Sequence, residues 1–375
     1  MTVLLTADAE RRYVRAILAA VGASDAEASA FADAIVEADL RGYGSHGLLR
    51  VPETVANVRD GLLRVGTRPH VQEERPAAAL MDGDRALGPY AAVAATREAI
   101  ARARRTGTGA VALYNCGHIA MAGYYVELAA REDLIGILMT KGNPAVHPHG
   151  GLDRQIGTNP ISIGIPTAGD PFLLDMATSA TSLGALREAV AAGRPVAEGL
   201  AVDRSGAPTT DPAAALAGAL SPVGGAKGYG LGLVVELLAG ALTRAGAGVM
   251  RDARGRRKLW GTLVLVLDPA AFANPAAFKA AASAYLAEVK ASALAPGFRE
   301  ILVPGERAFR TRRAQLAHGV RITDGIWDEV AQVARGLGIE PDAYLAQSAG
   351  GRPTKPVQEG RPRRAGRKAG PETTG

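Results

Sequence analysis

Between residues 109 and 178 the chain alternates short apolar runs with turns dense in glycine, asparagine and proline, and few architectures can hold that pattern. Residues 109–115 read as a strand that runs into the tight turn Cys116-Gly117-His118. A helical pattern follows over about 120–131, then the apolar strand 134–140. An unbroken apolar run of that length belongs in a sheet interior. Strand, turn, helix, strand points to an α/β core. Lys141-Gly142-Asn143-Pro144, the histidine turn 147–151 and Gly157-Thr158-Asn159-Pro160 fill the space before a strand at 161–166. Residues 171–178 run from a strand into a turn that carries Asp175. Such loops set backbone N–H groups at a sheet rim, where they can cradle phosphates.

The flanking segments read mainly as helices. Residues 7–40 give two, the second opened by the capping box Ser24-Asp25-Ala26-Glu27. A third ends near residue 60, with Ser45 as its N-cap. Helices are also expected over 91–105, 182–192, 276–291, 308–318 and 326–337, with strands at 262–268 and 300–303. The apolar stretch 228–242 contains Glu236 and is too short to span a bilayer, so it is expected to be a buried helix. No basic, then apolar, leader opens the chain, and Cys116 is its only cysteine, which fits a reducing cytoplasm.

The formal charge of +6 invites a nucleic-acid reading that its distribution does not support. Residues 351–375 hold seven basic and two acidic side chains, a net +5 that leaves +1 for the other 350 residues. That tail, rich in Gly, Pro and Arg, is expected to be disordered, with only weak, salt-sensitive attraction to polyanions. Neither a specific nucleic-acid partner nor a membrane is expected.

Candidate chemistry is sparse. Arg41-Gly42-Tyr43-Gly44-Ser45-His46-Gly47 precedes Arg50, so a helix starting at Ser45 would put His46 and Arg50 on one face. A proton donor beside a carboxylate clamp suits a 2-oxo-acid reductase; a capped helix with two surface side chains would read the same way. His118 follows a strand and two small residues, and Lys227 opens a helix behind Gly224-Gly225, where it could meet phosphate or carboxylate. No strand is followed by GxGxxG, no GxxxxGK[ST] or GxSxG is present, and His147 and His149 lack a third ligand. An ordinary Rossmann site, an NTPase, a serine hydrolase and a metal centre are therefore not expected.

Taken as an ordered set, these segments resemble the type-2 malate/L-lactate dehydrogenase family, which includes ureidoglycolate and sulfolactate dehydrogenases and diketogulonate and piperideine-carboxylate reductases. The resemblance rests on residues 41–47 with Arg50, Gly117-His118, Ala122-Gly123-Tyr124-Tyr125, Leu134-Ile135-Gly136, Gly150-Gly151, Gly157-Thr158-Asn159-Pro160, residues 174–179, Pro208-Thr209-Thr210-Asp211-Pro212, residues 225–231 and Pro304-Gly305-Glu306. It implies a non-Rossmann α/β (α+β) fold with a mixed or antiparallel sheet that binds NAD or NADP. It implies a helical, dimerising, substrate-side unit from residues 1–75 and 300–345, a nucleotide-binding core over 76–299, and a homodimer.

The resemblance also implies hydride transfer between nicotinamide and a small 2-oxo (2-hydroxy) carboxylate, or alternatively a 2-imino carboxylate. A non-catalytic relative is the alternative of another class. His46 and His118 would share the candidacy for proton transfer. Arg50 would clamp the substrate carboxylate, with Ser45 and Thr158 beside it. Gly142, Asn143, Asp175, Met176, Ala177, Thr178, Lys227, Gly305 and Glu306 would contact the cofactor. Departures at Thr54, at His118-Ile119-Ala120 and at Gly199-Leu200 point to a pocket of altered shape, and so away from malate or lactate themselves.

Overall fold

The computed structural model describes residues 2–248 and 259–346. The predicted basic tail and residues 249–258 lie outside them. The chain opens with strand β1 (Thr2–Leu5) and helices α1 (Ala7–Ala20), α2 (Asp25–Leu40) and α3 (Arg50–Arg59). The capping box of α2 forms as expected: Glu27 N–H donates to Ser24 Oγ, and Ser24 N–H donates to the Glu27 carboxylate at 2.8 Å. A cap of this kind is worth about 1 kcal/mol.

Next come β2 (His70–Arg75), β3 (Ala78–Asp82), α4 (Gly88–Thr106), β4 (Thr108–Cys116), α5 (Gly123–Ala130), β5 (Ile135–Thr140), β6 (Ile161–Ile165) and β7 (Phe172–Met176). A small outer lobe follows: α6 (Leu183–Ala191), β8 (Ala201–Val202), α7 (Pro212–Ala217) and β9 (Ala219–Leu220). The rest is α8 (Ala226–Val235), β10 (Trp260–Leu267), α9 (Pro275–Ala291), α10 (Glu306–His318), β11 (Val320–Thr323), α11 (Asp324–Arg335) and α12 (Asp342–Ala346).

The main sheet has seven strands in the order β2-β3-β4-β10-β5-β6-β7. Only β3 and β4, joined through α4, run parallel; every other neighbouring pair is antiparallel. The strand, histidine turn, helix, strand unit read from the sequence is present as β4–α5–β5. Its two strands do not touch, because β10 lies between them and pairs with both. That central place explains the apolar run Leu263-Val264-Leu265-Val266 in β10. Helices α4 and α5 pack on the sheet through Ala95, Ala99, Ala103, Tyr125, Val126 and Ala129.

A second core joins the two ends of the chain. Strand β1 pairs antiparallel with β11, and Tyr13, Ile17, Phe31, Ile35 and Leu48 pack with Trp327, Val330 and Ala334.

Two sequence readings are corrected, and one strand that was not expected appears. Residues 300–303 form no strand, and Val303 N–H turns to the Glu306 carboxylate. The terminal strand is β11, whose alternating buried Val320 and Ile322 gain a partner only in β1. Residues 70–75 form β2 and pair with β3. The apolar helix at 228–242 is not fully buried: α8 gives way at Glu236 to a π-helical turn, and Leu231, Leu233, Val234, Leu237 and Leu242 face outward.

Candidate active site

The turn between α2 and α3 carries the first histidine. It is not the helix start expected: Ser45 and His46 sit in a one-turn 3-10 helix (Gly44–His46), and α3 begins only at Arg50, with Leu49 as an N-cap that makes no side-chain bond. The cause is Asp39 near the end of α2. Its carboxylate accepts Leu48 N–H at 2.6 Å and fills the space a Cβ on Gly47 would occupy, 1.9 Å away. The backbone is thereby pinned out of helical geometry between His46 and Arg50.

Within the turn, Ser45 Oγ meets His46 Nδ1 at 2.9 Å, and Arg50 Nε donates to Ser45 O at 2.7 Å. A second Arg50 nitrogen reaches Glu53 at 3.2 Å. His46 is half-buried; burial, with the Arg50 guanidinium beside it, pushes its imidazole down to about 4.

The second histidine comes from the sheet. His118 lies just past β4, and Ala120 N–H donates to its Nδ1 at 3.0 Å. That bond requires a lone pair on Nδ1, so the ring proton of the neutral imidazole sits on Nε2. The His118 ring centroid is 5.6 Å from that of His46 and 4.8 Å, edge-on, from that of Trp260. Trp260, the first residue of β10, lies opposite Cys116 in the β4–β10 register. Sequence reading missed it, because nothing local says that a strand some 140 residues on inserts beside His118.

One loop at the rim reaches the His46 turn, and the others are tied to one another. Gly184, in the first turn of α6, abuts Ser45: a Cβ there would come 3.1 Å from Ser45 Cβ. Thr178 N–H donates to Thr158 O, and Val223 N–H to Thr178 O, both at 2.9 Å. Gly142 lies against Thr158. Lys227 is exposed in the first turn of α8, four residues beyond Val223. Asn143 is exposed, and Met176 and Ala177 are half-buried.

Asp175 accepts from Gly123 N–H at 2.7 Å and from Ser162 Oγ at 2.5 Å, yet its burial still raises its pKa. Burial, with the Asp175 carboxylate nearby, raises the pKa of Tyr43, from the turn before His46, against the opposing pull of Arg307. Gly305 has φ +97°, and a Cβ there would come 2.9 Å from Leu173 Cβ on β7, so glycine suits both the backbone and the space. Glu306 binds Lys290 and Val303 N–H.

A buried ion pair, also missed in the sequence, locks these loops from behind. Lys141 is fully buried; its Nζ lies 2.9 Å from the Glu236 carboxylate and donates to Gly246 O at 2.6 Å. Asn159 ties Glu236 to the residue that follows Lys141, donating to Glu236 at 2.9 Å and accepting from Gly142 N–H at 2.9 Å. Removing one member of such a pair strands a charge in the interior, at about 3–5 kcal/mol. His147 contacts Pro148 O and Ser221 Oγ, while His149 lies against Gly225.

The glycine-lined rim, its backbone N–H groups and the exposed Lys227 fit a dinucleotide phosphate chain without a Rossmann motif.

Comparison with known proteins gives the family and the fold. Residues 5–331 match the malate/L-lactate dehydrogenase family. The chain is 34% identical over 340 residues to the malate/(S)-sulfolactate dehydrogenase of Methanothermus fervidus, covering 90% of this chain and 99% of that protein. It is 34% identical to the NAD(+) ureidoglycolate dehydrogenase of Escherichia coli O157:H7, covering 83% and 90%. The solved sulfolactate dehydrogenase of Methanocaldococcus jannaschii superposes with a TM-score of 0.86 at 36% identity, covering 92% of this chain and 100% of the other. The delta1-piperideine-2-carboxylate reductase of Pseudomonas syringae superposes at 0.79 with 29% identity, covering 88% and 99%. The chain belongs to the malate/L-lactate dehydrogenase family and is an oxidoreductase.

Proposed function

We propose that the protein interconverts a small 2-hydroxy carboxylate and its 2-oxo form, with His46 as the proton-transfer group, His118 as a fixed hydrogen-bond donor and Arg50 as the carboxylate clamp. The observation that carries this reading is the His46–His118 ring pair at 5.6 Å, with Arg50 folded back onto the same turn. A bound nicotinamide dinucleotide, NAD or NADP, supplies or accepts the hydride. Gly142, Asn143, Asp175, Met176, Ala177, Thr178, Lys227, Gly305 and Glu306 are the residues that would hold it, and Ser45 and Thr158 would flank the substrate.

With its imidazole neutral, His46 is set to take the hydroxyl proton as a 2-hydroxy acid is oxidised, and to return it in reverse. The Ser45 hydroxyl can turn to donate to or accept from His46 Nδ1, so it accompanies either state. Nε2–H of His118 can hold the substrate oxygen. The guanidinium of Arg50 offers paired N–H groups to the carboxylate and excludes substrates without one. A cyclic 2-imino carboxylate presents the same carboxylate and a nitrogen in place of oxygen. The likeness to a piperideine-carboxylate reductase keeps that second reading in play.

The direct test follows the NADH and NADPH absorbance with a panel of 2-oxo acids, with and without methylamine, and with the matching hydroxy acids. Turnover with at least one carboxylate is expected; none with any of them, with no cofactor binding, would sink the proposal.

The active species is proposed to be a homodimer. The exposed face of Leu231, Val234, Leu237 and Leu242, from 41% to 59% exposed, is an apolar patch that a second copy would cover. Leu237→Arg is expected to shift the mass seen by sedimentation from dimer to monomer. Among the described residues no helix is long and apolar enough to cross a membrane, and we place the protein in the cytoplasm, where its lone buried Cys116 stays reduced.

A further inference from the structure

Behind the His46 turn lies a pair of acids that the reaction does not use directly. Glu10 on α1 is completely buried, and no N–H or hydroxyl among the described residues reaches either of its carboxyl oxygens. Its carboxyl lies within hydrogen-bonding reach of that of Asp39 on α2, itself 6% exposed. Two ionised carboxylates cannot share such a site, since burial strips them of bulk solvent and their mutual repulsion outweighs the pull of the neighbouring Arg11 on Glu10. One proton must sit between them, and the surroundings decide on which side. Asp39 accepts Leu48 N–H at 2.6 Å, which favours its charged form, whereas Glu10 has only Asp39 to bond.

We propose that Glu10 is a neutral carboxylic acid that donates its proton to an ionised Asp39, and that this pair positions the turn presenting His46 and Arg50. The pair acts through contacts already described. Asp39 holds Leu48 N–H and sits in the notch left by Gly47, between the two site residues. Without the Glu10 donor, Asp39 would be a buried carboxylate with one bond fewer, and the turn would relax toward whatever satisfies it. The balance of shifts favours the proton on Glu10: burial and the nearby Asp39 raise Glu10 well above the usual carboxylate range, whereas burial raises Asp39 only to about 6 because its bonds to Glu10 and to Leu48 N–H pull the other way. The catalytic consequence rests on the proposed roles of His46 and Arg50; the placement of the proton does not.

Glu10→Gln keeps a donor of nearly the same shape, while Glu10→Ala removes it. The infrared spectrum of the unliganded protein should show the carbonyl stretch of a protonated carboxylic acid, lost in Glu10→Gln. In proton NMR the His46 imidazole resonances should hold their positions in Glu10→Gln and move in folded Glu10→Ala. The ratio kcat/KM should stay within about twofold for the glutamine variant and fall roughly ten- to a hundredfold for the alanine variant, the scale of a small misplacement of reacting groups. Absence of that infrared band, or a glutamine variant as disturbed as the alanine one, would overturn the proposal. Unmoved His46 resonances in Glu10→Ala would overturn its positioning half. Wild-type protein with the expected spectra but no turnover on any carboxylate would instead count against the proposed reaction.

Discussion

The two histidine turns reach the same place by opposite means. The His46 turn is a short 3-10 segment between helices, held by side chains: Asp39 on Leu48 N–H, Ser45 on the imidazole, Arg50 on the Ser45 carbonyl. The His118 turn is the end of a sheet strand, held by backbone: Ala120 N–H on the imidazole, with Trp260 fixed edge-on by the β4–β10 register. A backbone N–H can only donate, so His118 keeps one tautomer. A serine hydroxyl can donate or accept, so His46 can change protonation without losing its partner. In the proposed reaction the rigid histidine holds a substrate oxygen and the adaptable one moves a proton.

Several substitutions would break that division of labour. His46→Ala should cost the most, about 10²- to 10⁴-fold in kcat, the usual worth of a positioned acid–base group. Arg50→Ala should act chiefly on binding, raising KM for the carboxylate roughly ten- to a hundredfold, as loss of a charge-assisted hydrogen bond does. His118→Ala should cost only about tenfold, one neutral hydrogen bond to the substrate. If His118→Ala proved as damaging as His46→Ala in steady-state assays, the roles assigned to the two turns would have to be exchanged.

The smallest effect is on stability against pH. His46 titrates near 6.5 in an unfolded chain and at about 4 in the fold. Between those values the unfolded state binds the extra proton, so acidification favours unfolding. Asp39 works the other way: ionised at neutral pH, in the fold it takes up a proton at about 6, above the ordinary carboxylate range, so acidification below that point favours the folded state. The two contributions are separable by mutation. Relative to His46→Gln, the wild type should lose melting temperature as pH falls from about 6.5 toward 4; a constant difference across that range would mean that His46 titrates normally in the fold.

What the sequence reveals follows from what is local. Strands β4, β5, β6 and β7 and helices α4, α5 and α9 all stand where periodicity and turn residues put them, since each needs only its own segment to declare itself. The candidate residues near His46 and in the glycine turns were legible for the same reason. Trp260, the Lys141–Glu236 pair and the Glu10–Asp39 pair were not, because each depends on partners far along the chain. Ser45 misled for the same reason: it has an N-cap's side chain, but Asp39 commands the backbone there. β1 and β11 have four residues each and are strands only because they find one another.

The place of β10 in the middle of the sheet has a consequence for how the molecule comes into being. Strands β4 and β5 leave the ribosome well over a hundred residues before the strand that must join them. Until residues 260–267 arrive, each has an apolar edge with no neighbour, and the His118 turn has no Trp260 to rest against. The opening strand waits longer still, for residues 320–323. Pairings this distant in sequence close slowly and leave sticky edges bare meanwhile. A chain cut short before residue 260 should therefore be a client of chaperones rather than a smaller enzyme, and the acquisition of activity during synthesis should come all at once, near the end.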